Sequence, residues 1–212
     1  PAMAFAPPNY EAHVLAPEPG GCMGFAPVPE HDDAFLMITQ FYPIFKSEGA
    51  GIDLFQAVDG LNQAWQGKRI IDLPFVHRIC MVGNGIDHFL VAASVCGGKD
   101  FQDDWSRPGT TYVARVPQDL EGPWDLMPIM EGIHRNHGMH RGSFAGRSCV
   151  YIAGDEGLFA LEIPEPGCKE WKIRHIIEEP ISEVYTADLD NDGQAEIAVI
   201  EPFHGNAMSV YK

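Results

Sequence analysis

The feature that most constrains this chain is that it repeats itself at about fifty residues. An aromatic residue opens a strand-like run at Tyr10 (YEAHVLAPE), Trp65 (WQGKRIIDLP), Trp124 (WDLMPIME) and Trp171 (WKIRHIIEE). Apolar, partly β-branched runs start at Ala34, His88, Ser148 and Ala195, in step with the first series. A third series alternates at period two, from Gly51, Thr111, Gly157 and Ala207. A fourth short segment (CMGFAPV, HRICMVG, MHRGSFA, SEVYTAD) precedes each apolar run. A repeat of this period fixes the architecture before any single element does, because each unit buries its apolar faces only against its neighbours. The runs have strand length, strand composition and boundaries of Gly, Asp, Asn and Pro. The most helix-like stretch, residues 51–65, is interrupted by Gly60 and has no caps.

Four strands per repeat predict an all-β chain of four-stranded antiparallel units, the pattern of β-propeller blades. We label the strands A to D from the axis outward, with the aromatic series as D. The expected blades are residues 19–74, 75–131, 132–178 and 179–212, with an N-terminal D-type strand at residues 10–18. That strand would complete the last blade and close a ring of four; the other arrangement consistent with the count is an arc of a larger ring, completed by a missing segment or a second copy. Antiparallel connectivity gathers the D-to-A and B-to-C loops at one end and the A-to-B loops at the other.

Composition removes several function classes. The 212 residues carry 14 Lys+Arg against 30 Asp+Glu, a formal net charge of −16. Such a field repels phosphate backbones, so neither nucleic acid nor a membrane is an expected partner. No window reaches the roughly 18 apolar residues of a spanning helix, and no leader pattern stands in the first thirty residues. The five cysteines (Cys22, Cys80, Cys96, Cys149, Cys168) form no CxxC. With the absence of a leader pattern, this points to a reducing, cytoplasmic setting without a disulfide framework.

The sharpest motif lies in the last A-to-B loop: Asp188, Asp190 and Asp192 at positions one, three and five, Gly193 at six and Glu196 at nine. This spacing gathers carboxylate oxygens around one point, as a hard cation such as Ca²⁺ requires. An EF-hand would need a bidentate Glu at position twelve, where this chain has Val199. Residues 186–203 (TADLDNDGQAEIAVIEPF) resemble the D-x-D-x-D-G-x-x-[DE] loops of the FG-GAP and VCBS β-propeller repeats. The resemblance covers one blade in four and implies a structural Ca²⁺ held by Asp188, Asp190, Asp192 and Glu196. The corresponding loops of the earlier blades (Glu30 to Asp33, Gly83 to Asp87, Gly142 to Arg147) lack the three acids.

Side chains able to do proton chemistry gather in the loops of the opposite end. His134, Arg135, Asn136, His137 and His140 fall within seven residues before and in the third blade. His77 occupies the matching D-to-A region of the second. His204 and Asn206 lie in the last B-to-C loop, Trp105 in the second, Tyr42 and Lys46 in the first. Histidines titrate near neutral pH and serve as bases or metal ligands. His137, His140, His204 and His77 are therefore the candidate catalytic set, with a second divalent metal as a further expectation. Tyr42, Lys46, Trp105, His134, Arg135, Asn136 and Asn206 are candidate substrate contacts. More distantly, the architecture resembles aldos-2-ulose dehydratase and polysaccharide-lyase propellers. That resemblance implies a sugar or polysaccharide substrate and proton abstraction next to a carbonyl or carboxylate. The competing reading is a non-catalytic, cation-stapled module that binds a protein or glycan.

Overall fold

The computed structural model describes residues 2–6, 8–16, 18, 20–58 and 65–212. It is, among the described residues, an all-β fold of 17 strands with one short 3₁₀ segment, Ile44–Gly49. Among the described residues no helix is long and apolar enough to cross a membrane. An N-terminal hairpin pairs β1 (Ala2–Ala6) with β2 (Glu11–Ala16). Three antiparallel four-stranded sheets follow. The first joins β3 (Phe25–Pro27), β4 (Ala34–Thr39), β5 (Gly51–Ala57) and β6 (Trp65–Asp72). The second joins β7 (Val76–Gly83), β8 (His88–Ser94), β9 (Gly109–Arg115) and β10 (Met127–Ile133). The third joins β11 (Gly138–Phe144), β12 (Arg147–Gly154), β13 (Gly157–Glu162) and β14 (Lys172–Ile177). A three-stranded sheet closes the series: β15 (Glu183–Ala187), β16 (Glu196–Glu201) and β17 (Ala207–Tyr211).

The sheets pack in series, and the period-two alternation of each strand supplies a different cluster on each face. Leu36, Ile38, Ile52 and Leu54 of the first sheet bury against Leu90, Ala92 and Ala114 of the second. The opposite face of the second, Val82, Val91 and Val113, meets Val150, Ile152 and Leu161 of the third. Tyr151, Ala153, Leu158 and Ala160 on the third sheet's other face meet Val184 and Val199 of the fourth. Because both faces of a middle strand are buried, β8 and β12 read as near-continuous apolar runs. The first strands touch in sequence, β3 with β7, β7 with β11, β11 with β15. Their N-terminal ends and the loops beside them therefore meet.

One expectation is not met. The strand over residues 10–18 does not extend the last sheet: β2 pairs with β1 and lies beside β6 of the first sheet. Sequence spacing assigns it to the outermost-strand series, but pairing is decided by which edge is within reach, and here the edge in reach is β1.

Candidate functional site

The site is built where β7, β11 and β15 begin. His77 and Arg78 lie at the start of β7, His137 immediately precedes β11, Glu183 opens β15, and Phe203 and His204 lie in the β16–β17 loop. Gly138 lets these elements approach: a Cβ there would stand 2.8 Å from the Ser182 carbonyl oxygen. His204 and Arg135 both hold left-handed backbone, φ 49° and 47°, which non-glycine residues adopt at a cost.

His137 is buried, and its ring ties the site together. Its Nδ1 lies 2.9 Å from Glu183 Oε1 and 3.1 Å from the Ser182 carbonyl oxygen. Its Nε2 lies 3.2 Å from Nε2 of His204. One protonation pattern satisfies every contact with neutral rings: His137 donates from Nδ1 to Glu183 and Ser182, and accepts at Nε2 from the Nε2–H of His204. A carboxylate–imidazole–imidazole chain thus runs from Glu183 to His204. Among the described residues Nδ1 of His204 has no hydrogen-bond partner. Arg78 anchors the far end, donating from Nη2 to Glu183 and from Nε to the His137 carbonyl at 2.9 Å.

The electrostatics follow from this packing. Burial works to raise the Glu183 carboxyl, but the His137 hydrogen bond and the Arg78 charge outweigh it and hold the group below its ordinary value. Partial burial, then His137, lowers His204 below 6.5 against the opposing pull of Glu183. His77, with its ring centroid 4.5 Å from that of His137, is pushed down to about 2 by burial, then by His137, Arg78 and His204. His204 and His77 are therefore neutral at pH 7. Among the described residues Nδ1 of His77 has no hydrogen-bond partner.

Beside the histidines stands an aromatic and cationic wall. Phe203 stacks on His204 at 4.1 Å and meets Trp105 edge-on at 5.4 Å. The Arg135 guanidinium lies 5.1 Å from the Phe203 ring centre and 5.8 Å from that of Trp105. Lys99 holds Trp105 from behind: its ammonium sits 3.2 Å from a ring centre of the indole while donating to the Gln102 and Asp104 carbonyl oxygens.

The structure therefore brings His77, His137, His204, Arg135 and Trp105 together. It places the remaining sequence candidates elsewhere. His140 points across to β15, with Nε2 3.2 Å from Thr186 Oγ1 and its ring 4.2 Å from that of Tyr185; burial and then Arg141 lower its pKa. His134 pairs with Glu156 at 2.6 Å. Asn136 is buried, donating to Thr111 Oγ1. Tyr42 donates to Met23 Sδ and reaches the cluster only through Phe41, whose ring meets both Tyr42 and His77 at 5.1 Å. Lys46 is exposed on the 3₁₀ segment and Asn206 on the β16–β17 loop. Glu183 is the residue that sequence reasoning missed. It stands at the same D-to-A junction as Arg78 and His137 do in their own repeats, so the repeat alignment carried the signal.

At the other end, ligand oxygens of Asp188, Asp190 and Glu196 lie within 4.8 Å of one another. Both Asp188 oxygens already accept backbone N–H groups, from Asp192 and Gly193. Lys212 is the counter-charge: its ammonium bonds Asp190, lies 2.7 Å from Asp192 and 3.6 Å from Glu196 Oε1. That buried Glu196 oxygen has no hydrogen bond among the described residues. The donor set suits a hard cation, with Asp192 committed to Lys212 and Gln194 rather than grouped with the other three acids.

No protein-family model matches the chain, and no curated protein matches it in sequence.

Proposed function

We propose that the chain is a β-propeller segment whose histidine end abstracts a proton from a hydroxylated, sugar-type substrate, with elimination of a β-leaving group. The observation that carries this reading is the chain of contacts from Glu183 through His137 to His204. It supplies a neutral base with one nitrogen free and a half-buried carboxylate behind it to stabilise the imidazolium that forms. Nδ1 of His204 takes the proton from the carbon next to a carbonyl or carboxylate. The electron pair forms the new carbon–carbon double bond as the β-hydroxyl departs. The His204 imidazolium returns the proton to that hydroxyl, so water leaves and the base is regenerated. Arg135, held over Phe203 and Trp105, is a fixed positive charge available to the developing enolate, and the two aromatic rings offer stacking faces for a sugar ring. A loop cation held by Asp188, Asp190 and Glu196 would act as a staple at the other end, contributing stability rather than chemistry.

The test is ultraviolet detection of the unsaturated product across a panel of neutral and acidic sugars, with His204→Gln and Glu183→Gln as variants. Turnover abolished by His204→Gln and reduced about 100-fold by Glu183→Gln, a typical general-base contribution, supports the reading. Turnover unaffected by either change overturns it. Absence of turnover, with glycan or protein binding that survives both changes, favours the alternative, a non-catalytic binding module.

A further inference from the structure

Arg141 stands apart from the other arginines of the chain. With 30 Asp+Glu against 14 Lys+Arg, carboxylates are in surplus, and each of the others faces one at ion-pair distance, from Arg69 with Asp53 to Arg174 with Glu162. Arg141 has no carboxylate partner among the described residues. Its Nη1 donates to the Met81 carbonyl oxygen at 3.2 Å. A guanidinium carries several more N–H donors, and those of Arg141 have no protein acceptor among the described residues.

The fold places this charge beside an apolar cavity. Arg141 is opposite Val150 in the β11–β12 register, and Val150 packs against Val82 and Val91, so the side chain leaves the face turned toward the second sheet. There it reaches the inner edge of β7. On the other face of that strand, Ile79 and Met81 turn to Ala26 and Val28 of the first sheet. The cavity wraps this edge: it measures about 690 Å³, and its lining includes Arg141, Cys80, Ile79, Val28 and Phe25. A volume of this order is that of a small-molecule site. Burial pushes the Cys80 thiol up to about 12, which makes it a neutral part of the wall. At the rim, the carboxylate of the β3–β4 turn, Glu30, faces His88 at 3.5 Å rather than Arg141.

We infer that this cavity binds a small monocarboxylate with an apolar body, its carboxylate on Arg141 and its chain or ring along Ile79, Val28 and Phe25. The uncommitted N–H groups of one guanidinium suit the two oxygens of a carboxylate. A dianion such as phosphate fits less well, because a single cation in a chain of net charge −16 leaves its second charge unmatched against an apolar wall. A neutral apolar ligand would leave the guanidinium without a partner. The site is separate from the histidine end: it lies along the β7 edge beyond Arg78 and uses none of the residues of the reaction proposed above.

Isothermal titration calorimetry of the intact chain tests this, with octanoate as the probe, octan-1-ol as its neutral counterpart and acetate as the same charge without the apolar body. Octanoate should bind at a single site per chain, and both controls should bind at least about tenfold more weakly, since each lacks one of the two contacts. Arg141→Gln should weaken octanoate about tenfold or more, the size of a lost charge-assisted hydrogen bond. Arg141→Lys should fall in between, because it keeps the charge but loses the planar fork. Phe25→Ser should weaken octanoate about fivefold by stripping apolar wall. Arg141 and Phe25 are exposed side chains, so far-ultraviolet circular dichroism should be unchanged in all three variants. Absence of binding at millimolar octanoate overturns the inference, as does octanoate binding that Arg141→Gln leaves unaltered. Acetate or inorganic phosphate binding as tightly as octanoate would show a plain anion site and overturns it as well.

Discussion

His77 is the residue whose protonation most directly opposes the fold. Its pKa falls from 6.5 to about 2 because its ring is buried between Phe41 and His137. The unfolded chain therefore binds the proton first as pH drops, and the native state loses stability from about pH 6.5 downward toward 2. His77→Phe keeps an aromatic ring and removes a nitrogen that has no partner among the described residues. Unfolding free energies from denaturant titration should differ by less than about 1.5 kcal/mol at pH 7, as for a volume-conserving swap, while at pH 4 the variant should be the more stable protein. Equal acid sensitivity in both would refute the assignment. The same sign governs His204: with its pKa below 6.5, turnover should fall only on the acidic side of that value and stay level through neutrality, as a pH profile of kcat/KM would show.

At the scale of elements, two loops hold the ends of the sheets in place. The β8–β9 loop is organised around Lys99, whose ammonium satisfies two backbone carbonyl groups and the Trp105 ring at once. Lys99→Met keeps the stem but strips all three contacts. Hydrogen exchange across residues 97–108 should accelerate at least about tenfold, the equivalent of one lost charge-assisted hydrogen bond of roughly 1.5 kcal/mol. Unchanged exchange would mean that the loop is held by other contacts. The β15–β16 loop is an acidic turn with Lys212 as its internal cation. If the loop takes calcium, the ion must displace that ammonium, so Lys212→Ala should show the larger rise in Tm on adding Ca²⁺. Saturation at 100 times Kd would contribute about 2.7 kcal/mol. Glu196→Ala should abolish the rise, and no shift in any of the three proteins at millimolar Ca²⁺ rules out the staple.

For the whole molecule the dominant electrostatic fact is a net charge of −16 on 212 residues. Several ion pairs, among them Lys68–Glu121 and Arg107–Asp100, are between exposed side chains and contribute little. Self-repulsion therefore outweighs them, and screening should stabilise the protein. Tm should climb as NaCl is raised from about 10 to 300 mM, over which the Debye length shrinks from about 30 to 6 Å. A falling Tm would show that the pairs, not the repulsion, set the balance.

The strands themselves were legible because a half-buried or fully buried strand leaves its period in the chain. The apolar runs from Ala34, His88, Ser148 and Ala195 became β4, β8, β12 and β16, nearly residue for residue. The end of the molecule where His77, His137 and His204 meet was also legible, since antiparallel connectivity sorts loops by end. Partners within that end were not. The repeat alignment marks the junction at which Glu183 stands, but its pairing with His137 exists only once β15 is laid beside β11, and His140 parts from His137 because its strand carries it toward Thr186. The destination of residues 10–18 was equally hidden, since a strand's pattern specifies that it must pair but not which edge is within reach. Local sequence by itself determined the strands, their faces and the acidic turn, because backbone sterics and burial periodicity act over a few residues. Tertiary structure alone decided which side chains from distant repeats stand within 3 Å of one another, because that depends on how four sheets pack in series.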